Sequence, residues 1–202
     1  MSSVAVARRP VVLADVLPRT RVHPLVRTAA LVVAFALLTA AAAQIEIKLS
    51  WTPVPISGQT FAVLLAGTTL GWRAGASSQA LYWVLGLFLP FYSGGDKGWE
   101  VATGATFGYF VGFVLAAAAV GALAQRGQDR NLATSIPAML AGTAVIYTCG
   151  VTWLMHDLNI PLADGDPNAI ALGLTPFVVG DAVKLLLAGL LTPIAWKFAS
   201  RD

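Results

Sequence analysis

Residues 171–198 read ALGLTPFVVGDAVKLLLAGLLTPIAWKF, and their reading decides the fold. The run 172–198 is long and apolar enough to cross a bilayer, yet it contains an acid, Asp181, and a base, Lys184. Three residues apart on a helix is one face, so the two side chains are neighbours. Each is costly in hydrocarbon and needs a partner or a polar cavity. One reading is a structural ion pair that fixes how this helix packs. The other is a polar pocket in the outer half of a helix bundle, built around Gly180, Asp181 and Lys184.

The remainder of the chain has the same character. Of 202 residues, 57% are hydrophobic and 11% charged, against about 25% charged in soluble domains. Apolar runs near or above membrane-spanning length recur, so the expected fold class is an all-α integral membrane protein of one compact bundle. Cys149 is the single cysteine and lies within an apolar run, which excludes an internal disulfide. The spans are expected at 26–43, 55–71, 76–89, 104–124, 135–155 and 172–198, six transmembrane helices in all. Trp72 to Gly75 is read as the tight connection between the second and third.

Residues 1–24 are basic and proline-punctuated, read as a disordered cytoplasmic tail with a short interfacial turn before Pro24; residues 25–202 form the transmembrane domain. The basic region is too long, and the apolar run too full a span, for a cleaved signal peptide. Charge orients the bundle. Arg8, Arg9, Arg19, Arg21, Arg27, Arg73, Arg126, Arg130, Lys197 and Arg201 fall on one side, and only Lys48 and Lys97 on the other. Ten against two places both termini in the cytoplasm. Three loops then face outward: a Pro-rich one (44–60), a Gly-Gly one (90–103) and an acidic one (156–170). Asp181 and Lys184 lie beneath them. In the first loop, Ile45 to Leu49 alternates apolar and polar as a strand does. Pro53 and Pro55 exclude regular helix after it.

Several chemistries are absent. No phosphate-cradling loop is present, so the chain does not hydrolyse nucleotides by that route. His23 and His156 are on opposite sides, which excludes a helical His-pair metal site. The basic residues are accounted for by topology, so no nucleic-acid partner is expected. An Asp–Lys pair could do acid–base work, but nothing nearby resembles a nucleophile with its base. Gln79 and Tyr82 sit within one turn on the third span, as pocket residues or as an interhelical hydrogen bond. Gly104, Gly108 and Tyr109 open the fourth, for a ligand or for packing. Ala30 and Ala34 are four apart on the first span, as are Ala36 and Ala40. Such stripes admit a close helix partner, or reflect general alanine richness.

Taken in order, these residues form a pattern: Pro53-Val54-Pro55-Ile56-Ser57-Gly58-Gln59-Thr60-Phe61, Leu64-Leu65-Ala66-Gly67, Gly75 with Ser78-Gln79 and Tyr82, Gly94-Gly95, Gly104-x-Thr106-x-Gly108-Tyr109, and Gly180-Asp181-x-x-Lys184. The pattern resembles the BioY family, the biotin-binding S components of energy-coupling factor transporters, over residues 26–199. Ser57 stands where many relatives carry Thr, and the basic tail lies outside the resemblance. The resemblance implies a multi-pass subunit of a prokaryotic plasma membrane that captures biotin from outside and is not itself an enzyme. It implies no cofactor. The partners would be a transmembrane coupling subunit and two ATPases, which alone use ATP. Asp181 and Lys184 would belong to the biotin pocket, with Gln79, Tyr82, Tyr109 and Gly94 as candidate pocket residues. Ala30 and Ala34 are the candidates for docking the coupling subunit. Other classes compatible with the residues are a binder of another small vitamin on the same scaffold, an intramembrane enzyme using Asp181 and Lys184, and a stand-alone secondary transporter.

Overall fold

Alanine- and leucine-rich runs without water to solvate their backbone satisfy it internally, and helices do this within one segment. The structure, a computed structural model, describes residues 12–16 and 23–199. After a 3-10 turn (Leu13–Val16) come α1 (Pro24–Ala43), β1 (Glu46–Ile47), β2 (Ile56–Ser57) and α2 (Gln59–Gly86). A second 3-10 turn (Ser93–Gly95) precedes α3 (Trp99–Thr103), α4 (Phe107–Gln125), α5 (Leu132–Asp157), α6 (Ala169–Gly173) and α7 (Val178–Ala199). Among the described residues, α1, α4, α5 and α7 are the four helices long and apolar enough to cross a membrane.

α2 is a helical hairpin. At Gly71 the backbone takes φ 79° and ψ 175°, a region open essentially to glycine alone. In a straight helix residues 59 and 82 would lie about 35 Å apart. Here Gln59 Nε2 donates to Tyr82 Oη at 2.7 Å. The connection expected at Trp72 to Gly75 is therefore corrected: the turn is Gly71 alone, and residues 72–75 are helical. Tight packing of α4 on this hairpin forms the centre of the bundle, and α1 and α5 flank it.

The last apolar run also differs from the expected single helix. Leu174 to Phe177 separate α6 from α7. Pro176 has no N–H to donate and biases Thr175 away from helical geometry. α7 therefore begins just before Asp181, whose N–H closes onto the Phe177 carbonyl at 2.8 Å. The break places the carboxylate in the first turn, where the helix dipole favours a negative charge.

The alternation at residues 45–49 resolves into a two-residue strand, with Glu46 opposite Ser57 and Ile47 opposite Ile56. The prolines lie in the connection. Thr52 Oγ1 reaches across to the Leu172 carbonyl at 2.8 Å, tying this loop to α6. Most of the tail at 1–24 lies outside the described residues. Within it, Val12 is buried and the turn at Leu13–Val16 packs near the Gly71 end of the hairpin.

Candidate functional site

A cavity of about 430 Å³ opens at the end of the bundle where α2, α4 and α7 begin. Its walls come from the β1–β2 hairpin, the segment 92–106, and helices α4, α5 and α7. Phe110, Phe113, Ile146 and Phe177 supply apolar surface.

Asp181 forms the polar floor and is buried, at 6% exposure. Lys184 Nζ lies 2.6 Å from Oδ1, as the helical spacing requires. Thr60 Oγ1 donates to the same oxygen at 3.1 Å, and Tyr147 Oη to Oδ2 at 2.6 Å. Lys184 also donates to the Ser57 carbonyl at 2.5 Å, fastening α7 to β2. A carboxylate offers about four acceptor positions and an ammonium three donors. Three of the first and two of the second are used. One acceptor position on Asp181 Oδ2 and one N–H on Lys184 are taken by no described residue, and both side chains line the cavity.

The proposed site residues divide in two. Asp181, Lys184 and Tyr109 line the cavity. Tyr109 Oη also donates to the Gly173 carbonyl at 2.6 Å, bracing α6 against α4. Gln79 and Tyr82 are fully buried outside the lining. Gln79 accepts from Thr39 Oγ1 of α1 at 3.2 Å and donates to Ser78 Oγ at 3.0 Å. Tyr82 holds Gln59, which does line the cavity, and donates to the Phe91 carbonyl at 3.2 Å. Gly94 sits behind the rim, against Glu46 and Lys48. Ala30 and Ala34 are exposed on the outer face of α1. Ala36 and Ala40, the alternative stripe, are buried inside the bundle and are not available to a partner.

Sequence reasoning missed Tyr147 as a site residue. A tyrosine in the apolar stretch 144–151 was the signal, since a phenolic hydroxyl in such surroundings seeks a partner. Glu46, Lys48, Asp96 and Glu100 at the cavity mouth were also missed. Tyr92 is buried at the rim, donating to the Trp83 carbonyl at 2.6 Å. Burial pushes its hydroxyl up to about 12, so it stays a neutral donor.

Comparison with known proteins agrees with this architecture. The biotin transporter BioY of Thermotoga maritima is 34% identical over 161 residues, covering 78% of this chain and 88% of the relative. The probable biotin transporter BioY of Pyrococcus horikoshii is 36% identical over 159 residues, covering 78% and 89%. The 2.1 Å crystal structure of the S-component for biotin from an ECF-type ABC transporter shares the fold. Its TM-score is 0.76 at 24% identity, covering 89% of this chain and 95% of that one. The model of the BioY family matches residues 13–201, and the chain belongs to that family.

Proposed function

We propose that this chain captures biotin at the outer face of a prokaryotic plasma membrane, as the substrate-binding subunit of an energy-coupling factor transporter. The observation that carries the reading is the Asp181–Lys184 pair lining the cavity, with one acceptor position on Asp181 Oδ2 and one N–H on Lys184 that no described residue takes. A ureido group presents an N–H next to a carbonyl, and this pair of groups complements it directly. A carboxylate tail in the same place would face the Asp181 charge. The ureido ring therefore sits at Asp181 and Lys184, with the apolar ring and chain against Phe110, Phe113 and Phe177. The cavity volume falls within the range of about 300–1,000 Å³ common for small-molecule sites.

In this reading α1, the two arms of α2, α4, α5 and α7 make six passes, the arms of α2 being the shortest. An even number puts both termini on one side, and the charge bias makes that side the cytoplasm. Uptake needs energy from partners, a transmembrane coupling subunit and two ATPases. The exposed Ala30 and Ala34 are the docking face on α1, because small residues let a second helix approach closely in lipid. The test is mass spectrometry of the ligand that co-purifies with the chain in mild detergent. Biotin is expected. A different small molecule, or no biotin binding after refilling the emptied protein, refutes the reading.

A further inference from the structure

Four residues at and behind the cavity wall form one directed series of hydrogen bonds. Ser57 Oγ donates to Gln59 Oε1 at 2.6 Å. Gln59 Nε2 donates to Tyr82 Oη at 2.7 Å, and Tyr82 Oη to the Phe91 carbonyl at 3.2 Å. The last acceptor sets the direction of all three bonds. A backbone carbonyl only accepts, so Tyr82 must donate to it. The single phenolic proton is then spent, and Tyr82 can only accept from Gln59. That turns the Gln59 amide one way round, with nitrogen toward Tyr82 and oxygen toward Ser57.

The amide so fixed lies between two contacts that hold the charged pair. On one side the Ser57 carbonyl accepts from Lys184 at 2.5 Å, and on the other Thr60 Oγ1 donates to Asp181 at 3.1 Å. Gly58, the residue that precedes α2, gives the helix no side-chain cap. Gln59 is 6% exposed and Tyr82 fully buried, so bulk water does not replace a partner lost from either. The Tyr82 ring packs edge-on against Tyr92 at 6.0 Å and tilted against Phe110 at 6.1 Å, contacts that do not involve the hydroxyl. Ring and hydroxyl therefore have separable roles. Ser57, Gln59 and Thr60 line the cavity, whereas Tyr82 does not.

We propose that Tyr82 is a positioning residue for ligand binding: through the Gln59 amide its hydroxyl holds the turn 57–60 that presents Asp181 and Lys184, and it does so without touching the ligand. The proposal rests on the biotin reading above. A hydroxyl that served the fold alone would raise the melting temperature and leave the affinity for biotin untouched. A hydroxyl that acts through Gln59 moves the affinity, and its effect disappears once the amide is gone.

The experiment measures equilibrium binding of biotin and thermal melting on the purified full chain in detergent, for wild type, Tyr82→Phe, Gln59→Leu and the double variant. Tyr82→Phe keeps the ring and should weaken biotin about fivefold, the size of one neutral hydrogen bond. Residues that act as one unit are not additive, so in the Gln59→Leu background Tyr82→Phe should change the affinity by less than about twofold. A folded Tyr82→Phe variant that binds biotin within about twofold of wild type, whatever its melting temperature, overturns the proposal. Losses that multiply in the double variant overturn it as well. Where Tyr82→Phe does not fold, backbone amide exchange at residues 57–60 of ligand-free Gln59→Leu takes its place. Exchange there should be at least about fivefold faster than in wild type, and unchanged exchange overturns the proposal. Each of these overturning results leaves the biotin reading intact. A wild-type chain that does not bind biotin overturns both.

Discussion

Asp181→Asn tests the floor of the site most directly. The wild-type carboxylate takes hydrogen bonds from Thr60, Tyr147 and Lys184 and keeps one acceptor position for a ligand N–H. Asparagine has one carbonyl oxygen with two acceptor positions, and its amide nitrogen donates. Three donors then compete for two positions, and a ligand N–H finds none. The lost contact is a hydrogen bond to a charged group, about 1.5–3 kcal/mol. At about 1.4 kcal/mol per decade, biotin affinity should fall roughly ten- to hundredfold. Titration calorimetry of the detergent-purified variant reads the loss, and its thermal midpoint reports whether it is folded. Tyr147→Phe is the companion. It keeps the charge and the shape but removes the 2.6 Å bond that anchors Oδ2, so an intermediate loss is expected. It also keeps the reasoning testable if Asp181→Asn does not fold. A folded Asp181→Asn variant binding biotin within twofold of wild type refutes the assignment and returns the Asp181–Lys184 pair to a purely structural role.

Two further predictions address other surfaces. Ala30→Trp or Ala34→Trp places bulk on the exposed face of α1, so co-purification with a coupling subunit and uptake should be lost while biotin binding persists; normal assembly moves the docking face elsewhere. At the other end of the bundle, Asp129 is 1% exposed, with Oδ2 bonded by Trp196 Nε1 at 2.6 Å and Oδ1 without a hydrogen-bond partner among the described residues. Burial raises its carboxyl above the usual range, so its contribution to stability is full below the unfolded value and is lost as pH rises through the raised folded one. Asp129→Asn should therefore melt at a higher temperature than wild type at about pH 8, the gap closing toward about pH 4. A variant that melts lower at pH 8 shows that the bond to Trp196 and the nearby Arg130 charge outweigh the burial.

Chain-local physics decided a large share of this protein in advance. Long apolar runs with few charges specify helices in lipid, because no other segment satisfies its own backbone there. The placement of Asp181 and Lys184 on one face follows from helical geometry alone, and their 2.6 Å contact needs no information from elsewhere in the chain. The alternation at 45–49 and the prolines after it likewise predicted an extended cover, because strand pleat and missing N–H groups are local properties. What remained open was decided between segments distant in sequence. Thr60 and Tyr147 reach Asp181 across 121 and 34 residues, and Lys184 reaches Ser57 across 127. No spacing rule registers such meetings. Gln79 and Tyr82 sit within one turn of each other and read equally as pocket residues or as an interhelical hydrogen bond, and the fold pairs them with Thr39 and Gln59, behind the cavity wall. Ala30 and Ala36 are equally small, and only the packing of α1 on α2 exposes one and buries the other. Helix propensity and hydropathy act within a few residues, whereas the identity of a side chain's neighbour depends on where the helices cross, and that is settled by the whole bundle at once.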